Sequence, residues 1–498
     1  MKSKTYETKL ANYILGPSPA NLLKTDGYKF AMAQAGFPMR EETFYMSFRR
    51  RGAYYIPFDV ETLVKTLMPA DQPDSFETQF LDEAGYTLTP GMKAALRQND
   101  IQIHAAPKGS WVREKEPIFA ITCPSFLASV LEPLALMLHY PIQVATEALL
   151  NDRKDFVCTC VDEANITKLT LKEIGKLDGA NITVEYDQYR QDVSRRAQSL
   201  IDALVDKDPN RLFEVGMRAC SCMEMHSEAL AECKELGINS TSNVYLAAKL
   251  EMKAVGTTGH EHIMRWGSDL DACRAMRDMR PGTPSCLPDT FDVIESGLPA
   301  AFQVMRETPN RSFFIRFDSG DQDEQLRLCV KETADLSNVS YIFEDSINDK
   351  KVRHFEALCD EHNIPTNCRL YGAGGFFVRP EFTDLTRDRV SAVYKLCRTS
   401  GIPVMKTCTS APAKASLPGV PVIFRRDMTV ECDPEFEGYT GLIGQAAVMD
   451  GGIDLIPRGF VPLKPGMKPD MNKDIGLTRF MTMFRAYCMI TIQKRNLD

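Results

Sequence analysis

Phe313–Glu324, FFIRFDSGDQDE, is a short, mainly apolar run that stops at Asp318, Ser319, Gly320 and Asp321 and passes into a helical pattern. That order reads as strand, polar loop, helix. The same design recurs on both sides, in RLFEVGMR (211–218), GINSTSN (237–243), MKAVGTTG (252–259), VSYIFEDS (339–346), CRLYGAGG (368–375) and SAVYKLC (391–397). Helical patterns lie between these runs, at 221–236, 289–305 and 351–362. So many units in succession predict a parallel sheet with covering helices, curled into an α/β barrel, with ligands at the carboxyl ends of the strands. The unusual polar clusters all follow directly on apolar runs, where such a fold gathers its chemistry.

Upstream the rhythm differs. ETFYMSF (42–48) and IQIHAAP (101–107) alternate like half-exposed strands, SWVREKEPIFAIT (110–122) reads as a hairpin, and residues 125–150 read as buried helix interrupted at Glu132, Pro133, His139 and Pro141. The expected organisation is an α+β domain over 1–150, completed by 411–498, and a barrel domain over 151–410 carrying the active-site loops. A net charge of −8 in 498 residues gives no basic field for nucleic acid. No apolar run reaches membrane-spanning length, and the first twenty residues lack a signal-peptide core, which reads as a cytoplasmic protein. Fifteen scattered cysteines fit reduced thiols. Cys158/Cys160 and Cys220/Cys222 are C-x-C pairs without a second pair at zinc-ligand spacing, so no protein-held metal is expected.

Several loops carry candidate chemistry, each with a plainer reading beside it. Arg316, Asp318 and Asp321, and again Glu344, Asp345 and Ser346, suit sugar hydroxyls, Mg²⁺ or a developing cation; capped turns with surface ion pairs account for them too. Gly372, Gly374 and Gly375 allow backbone N–H groups to close on a phosphate, with Arg387, Lys395 and Lys406 as counter-charges or as solvated surface residues. Arg49, Arg50 and Arg51 suit a pyrophosphate or a charge-blunted strand edge. Thr25-Asp26-Gly27 reads as a helix cap before Tyr28. In VGTTGHEHIMRWG (255–267), His260 and His262 would point about 200° apart on a helix, which argues against a two-histidine metal site. A glycine turn that sets His260 at a strand end, oriented by Glu261 or another acid, fits nucleophilic or acid–base work, and a satisfied structural histidine fits as well.

Taken in order, LLKTDGYKFAMAQ, TFYMSFRRR, FEVGMRA, STSNVYLAAKLEMKAVGTTGHEH, IRFDSGD, YGAGGFFV, YKLC and PVMKTCTSAPAKASLPGVPVIFRR resemble the nicotinate phosphoribosyltransferase family over roughly residues 20–430. YPIQVAT, HEHIMRWG and LTRD are similar to the nicotinamide-using sister family. The resemblance implies an α+β sandwich domain with an irregular type II phosphoribosyltransferase barrel, and a head-to-tail homodimer with a shared site. It implies nicotinate, phosphoribosyl pyrophosphate and ATP as ligands, with Mg²⁺, in NAD salvage.

By resemblance, His260 is phosphorylated by ATP, Arg316 and Asp318 lie near the pyridine and ribose, and Asp345 meets a ribose hydroxyl. Gly374, Gly375 and Arg387 cradle the 5-phosphate. Tyr28, reaching across the dimer, and Arg218 sandwich the ring. Arg49 to Arg51 meet phosphates. Val215 stands where the family usually has Phe. Ser242 replaces the sister family's aspartate; a hydroxyl donates to a carboxylate that an aspartate would repel, so Ser242 argues for the acid over the amide. Transfer to nicotinamide is the alternative, and a non-catalytic pyridine-nucleotide-binding protein a further one. A quinolinate-type enzyme fits less well against the G-T-x-x-H-E run, and in the common cytosolic phosphoribosyltransferases paired acids run into a Thr-Gly phosphate loop, as DSGDQDE does not.

Overall fold

The computed structural model describes the chain apart from residues 1–4, 18–21, 281, 283, 337–338, 408–414, 428, 433, 435–437, 446–457 and 478–498. Its centre is a seven-stranded parallel sheet, in the order Lys253–Ala254, Ser240–Thr241, Leu212–Glu214, Arg369–Ala373, Val339–Phe343, Phe313–Phe317 and Ser285–Cys286. The strands curl into half a barrel with helices outside, the α/β fold expected from the repeated strand–loop–helix design. Ser285–Cys286 was not among the expected strands. Two residues give no apolar run to recognise.

A second, antiparallel sheet runs Ile402–Pro403, Ala392–Thr399, Glu41–Phe48, Pro117–Pro124, Gln102–Ala105. Two expectations fail here. Ala392–Thr399, read as a barrel strand, pairs antiparallel with Glu41–Phe48, so the chain returns to this sheet before residue 410. An apolar run of this length reads the same in either sheet, and only its partner decides. Nor do Trp111–Arg113 and Pro117–Pro124 form a hairpin: the first pairs with Ala53–Tyr55, the second with Glu41–Phe48 and Gln102–Ala105.

Glu42–Phe48 is also buried throughout rather than half-exposed. Phe44, Met46 and Phe48 enter the main core, while Tyr45 joins a second core with Ala120, Cys397, Leu417, Phe424 and Leu442. Period-two alternation thus holds, but both faces are covered. The cover on the second face is a four-stranded sheet, Phe460–Pro462, Pro421–Arg426, Tyr439–Gln445, Asp474–Leu477. It is fastened by Arg425, which pairs with Glu116 and donates to the Trp111 carbonyl at 2.9 Å, and by the Leu417 N–H donating to the Tyr45 hydroxyl at 2.9 Å. Much of 411–498 lies outside the described residues. Residues 125–150 form three buried helices broken near Glu132 and His139, Ser125–Val130, Glu132–Met137 and His139–Leu150. Among the described residues no helix is long and apolar enough to cross a membrane.

Candidate active site

The carboxyl ends of the parallel strands open on a cavity of about 550 Å³, whose far wall is the antiparallel sheet at Arg49 and Lys395. Residues from the loops after five of the parallel strands and from the Gly27–Gln34 helix line it, with others from the second sheet's side: Tyr28, Val215, Arg218, His260, Arg316, Asp318, Glu344, Asp345, Gly374, Gly375, Arg387 and Lys406 among them. Asp345 and Ser346 hold the left-handed backbone in succession (φ 67° and 58°), a costly arrangement for non-glycine residues that turns this loop into the cavity.

His260 opens the helix His260–Trp266, behind the N-cap Gly259. Its Nε2 lies 2.8 Å from Asp289 Oδ1, 2.7 Å from Lys406 Nζ and 3.5 Å from Asp318 Oδ2. Lys406 Nζ is also 3.0 Å from Asp289 Oδ2, which accepts the Ser319 hydroxyl. Burial lowers the His260 imidazole pKa against the pull of Asp289. Burial opposes the Asp289 charge, yet His260 and Lys406 hold that carboxyl well below the usual range. Asp289 is therefore the acid that orients His260. Glu261 turns inward instead, to the Ser129 hydroxyl and Lys29. His262 is structural, with Nε2 3.1 Å from the Ala272 carbonyl and burial pushing its pKa down to about 3.

One side of the cavity crowds cations. Burial, with Arg49, Lys406 and Arg218 nearby and Glu132 offsetting them in part, pushes the Lys395 ammonium down to about 7. Arg379 and Arg387 line the same cavity, and the Arg387 Nε donates to the Ala392 carbonyl at 3.0 Å. Gly374 backs onto the Val215 carbonyl so closely that a Cβ would come within 3.0 Å of it. Of the three arginines, Arg49 lines the cavity; Arg50 is exposed outside it, and Arg51 donates to the Met471 carbonyl at 3.2 Å.

The other side is acidic and aromatic. The Tyr28 hydroxyl donates to Glu132 at 3.2 Å, and its ring packs against Gly259, where a Cβ would lie 3.1 Å away. Tyr28, expected to reach across a dimer, thus lines the cavity of its own chain. Arg316 donates from Nη1 to the Thr257 hydroxyl and Thr258 carbonyl, and from Nη2 pairs with Asp318 (3.2 Å) and Glu344 (3.1 Å). Burial pushes the Glu344 carboxyl up to about 7 against the pull of Arg316. Arg218 stands on a loop fixed from behind by Glu214, which accepts the Gly216 N–H, the Thr241 hydroxyl at 2.8 Å and His226 at 2.9 Å.

Ser242 departs from its expected role. It is 3 % exposed, off the cavity wall, and its hydroxyl donates to Asp26 Oδ1 at 2.6 Å. That proton is committed, so it cannot reach a substrate carboxylate. Asp26 in turn makes no side-chain helix cap. The two C-x-C pairs meet at Cys160 and Cys222, Sγ to Sγ 3.6 Å, and among the described residues no third metal-ligating group joins them. Among the described residues the one group of three with metal-ligand spacing is His260, Asp289 and Asp318. Asp289 carried no recognisable sequence signal, since its strand is too short to announce a strand-end loop. Glu344 stood in a recognised strand-end cluster beside the residue singled out, Asp345.

No protein-family model matches the chain. Over 423 residues it is 24% identical to the nicotinate phosphoribosyltransferase of Bacillus subtilis, covering 81% of this chain and 72% of that one. Over 211 residues it is 27% identical to the nicotinate phosphoribosyltransferase of Methanosarcina mazei, covering 40% and 50%. Crystal structures of nicotinate phosphoribosyltransferases from Porphyromonas gingivalis and Vibrio cholerae share the fold. Their TM-scores are 0.54 and 0.56 at 18% and 16% identity, covering 76% and 81% of this chain and 90% and 92% of theirs. By sequence over four fifths of its length, and by fold, this chain is similar to the nicotinate phosphoribosyltransferases.

Proposed function

We propose that this chain joins nicotinate to phosphoribosyl pyrophosphate, releasing nicotinate mononucleotide and pyrophosphate in NAD salvage, with ATP acting through phosphorylation of His260. The observation that carries the reading is the charge of the cavity. Cations crowd around Lys395, and a glycine turn and the acids Asp318, Glu344 and Asp345 line the same cavity. Converging like charges without enough acids call for a polyanionic ligand, and acids in the same cavity suit a sugar that turns cationic in the transition state.

In this scheme Tyr28 and Arg218 hold the pyridine so that its nitrogen meets C1 as the bond to pyrophosphate breaks. Asp318 and Asp345 hold the ribose, Gly374, Gly375 and Arg387 the 5-phosphate, and Arg49, Lys395 and Lys406 take the charge of the leaving group. The gain is mainly positioning and charge placement. Mg²⁺ fits the donor set: it takes one or two carboxylates plus phosphate oxygens, and Asp318 offers a carboxylate on the cavity wall, whereas Lys406 already pairs with His260 and Asp289. When bound, Mg²⁺ neutralises departing pyrophosphate. Phosphorylated His260 adds negative charge beside Asp318 and Lys406, which shifts affinity for the other phosphates and couples ATP to synthesis. A head-to-tail homodimer belongs to the proposal.

Transfer to nicotinamide is the second reading, favoured by the engagement of Ser242 with Asp26. One assay tests both. Purified protein with phosphoribosyl pyrophosphate and Mg²⁺ is offered each pyridine, with and without ATP. Nicotinate mononucleotide should accumulate, faster with ATP. Product from neither pyridine would sink the proposal.

A further inference from the structure

Among the described residues three cations stand near the place where a substrate ring would lie: Lys29, 4.7 Å from the centre of the Tyr28 ring but already paired with Glu132 and Glu261, Arg218, and Arg316, whose Nη1 donates to Thr257 and Thr258, the two residues before Gly259 against the Tyr28 ring. With Arg218 over the ring, Arg316 is the cavity-lining cation left to meet a substituent on a ring laid against Tyr28. Yet both terminal nitrogens of that guanidinium are engaged, Nη1 by the threonines and Nη2 by Asp318 and Glu344. Asp318 stands on the same strand end and also faces His260, so it has other work. Glu344 reaches in from the neighbouring strand, lines the cavity, and is only 6 % exposed. It owes its place to Gly372, where a Cβ would come 2.8 Å from its Cγ. Its other charged neighbours are Arg218 and Asp26. A carboxylate on the ring would compete with Glu344 for Arg316 and repel it. An amide would not: its NH₂ donates to Glu344 and its oxygen accepts from Arg218.

We propose that Glu344 is a specificity-determining residue: by occupying Arg316 it weakens the hold on a ring carboxylate relative to a neutral amide, so that the choice Ser242 does not make is made here. This rests on the phosphoribosyl-transfer reading above.

The test compares kcat/KM for nicotinate and nicotinamide in the wild-type chain and in Glu344→Gln, which keeps the shape and removes the charge, with Glu344→Ala as a second variant should the first misfold. The nicotinate/nicotinamide ratio should rise at least tenfold, about 1.4 kcal/mol, mostly through a lower KM for nicotinate. A ratio within threefold of wild type, or a shift towards nicotinamide, overturns the proposal while leaving the transfer reading intact. A wild-type chain that uses neither pyridine defeats both.

Discussion

Asp289→Asn separates an orienting acid from a merely buried one. His260 Nε2 meets both Asp289 Oδ1 at 2.8 Å, which only accepts and favours an Nε2–H with the lone pair on Nδ1, and Lys406 Nζ at 2.7 Å, which only donates and opposes it. In the proposed phosphorylation Nδ1 takes the phosphoryl group, positive charge builds on the ring, and the Asp289 carboxylate faces it through Nε2–H. A hydrogen bond to a charged group contributes about 1.5–3 kcal/mol. The amide keeps the shape, loses the charge, and is free to present its NH₂ and so reverse the tautomer. It also leaves the Lys406 ammonium 2.7 Å from Nε2 without the acid that offsets it. Taking about 2.7 kcal/mol as the combined loss, His260 phosphorylation should slow about 100-fold.

The readout is rapid-quench transfer of radiolabel from ATP to protein as an acid-labile, base-stable phosphate. Uncompensated Lys406 threatens the fold by a few kcal/mol, so the comparison adds Lys406→Met alone and with Asp289→Asn. In the double variant stability should recover and the rate should not. Labelling of Asp289→Asn within threefold of wild type would refute the orienting role. Absence of label in the wild-type chain would refute the phosphohistidine itself.

Other expectations are shorter. Phosphoribosyl pyrophosphate should draw a proton onto Lys395 at pH 8, seen by calorimetry in buffers of different ionisation heat, and lost in Lys395→Met; equal proton counts in the two proteins contradict this. By the same depressed lysine, the unliganded chain should gain stability as pH rises from about 7 towards 10.5, where the unfolded chain holds the proton that the folded chain has shed. Glu42→Ala strands a buried arginine, since Arg265 meets Glu42 through Nε and Nη2 at 2.8 Å each and the Thr399 hydroxyl adds a third bond. Urea unfolding should show a loss of about 3–5 kcal/mol, and a loss below about 1 kcal/mol would mean the pair is not held as described.

The parallel sheet was legible because each long strand there ends in a loop of distinct composition, and Phe313–Phe317 and Val339–Phe343 show it best. The antiparallel sheet was half legible. Glu41–Phe48 announces a strand, but not that a second sheet covers its other face, since that cover arrives from beyond residue 415. Likewise Ala392–Thr399 carries no local mark of direction. Strand existence is a local property of side-chain pattern; strand partnership depends on contacts hundreds of residues away.

The site divides along the same line. His260, Arg316, Asp318, Gly374 and Arg387 all reach one cavity because a strand-end loop is both compositionally unusual and spatially convergent. Ser242 has the residue type for a carboxylate donor and stands after a strand, yet Asp26, 216 residues upstream, takes its proton. Asp289 and Glu344 act by the reverse logic. Neither stands out by its spacing, and each gains its chemistry from the bases it meets, Asp289 from His260 and Lys406 and Glu344 from Arg316 and Arg218. Spacing along the chain can locate a ring of loops, but which acid neutralises which base within that ring is fixed only when the loops close. In a cavity this crowded with charge, that pairing decides what each group has left to offer a ligand.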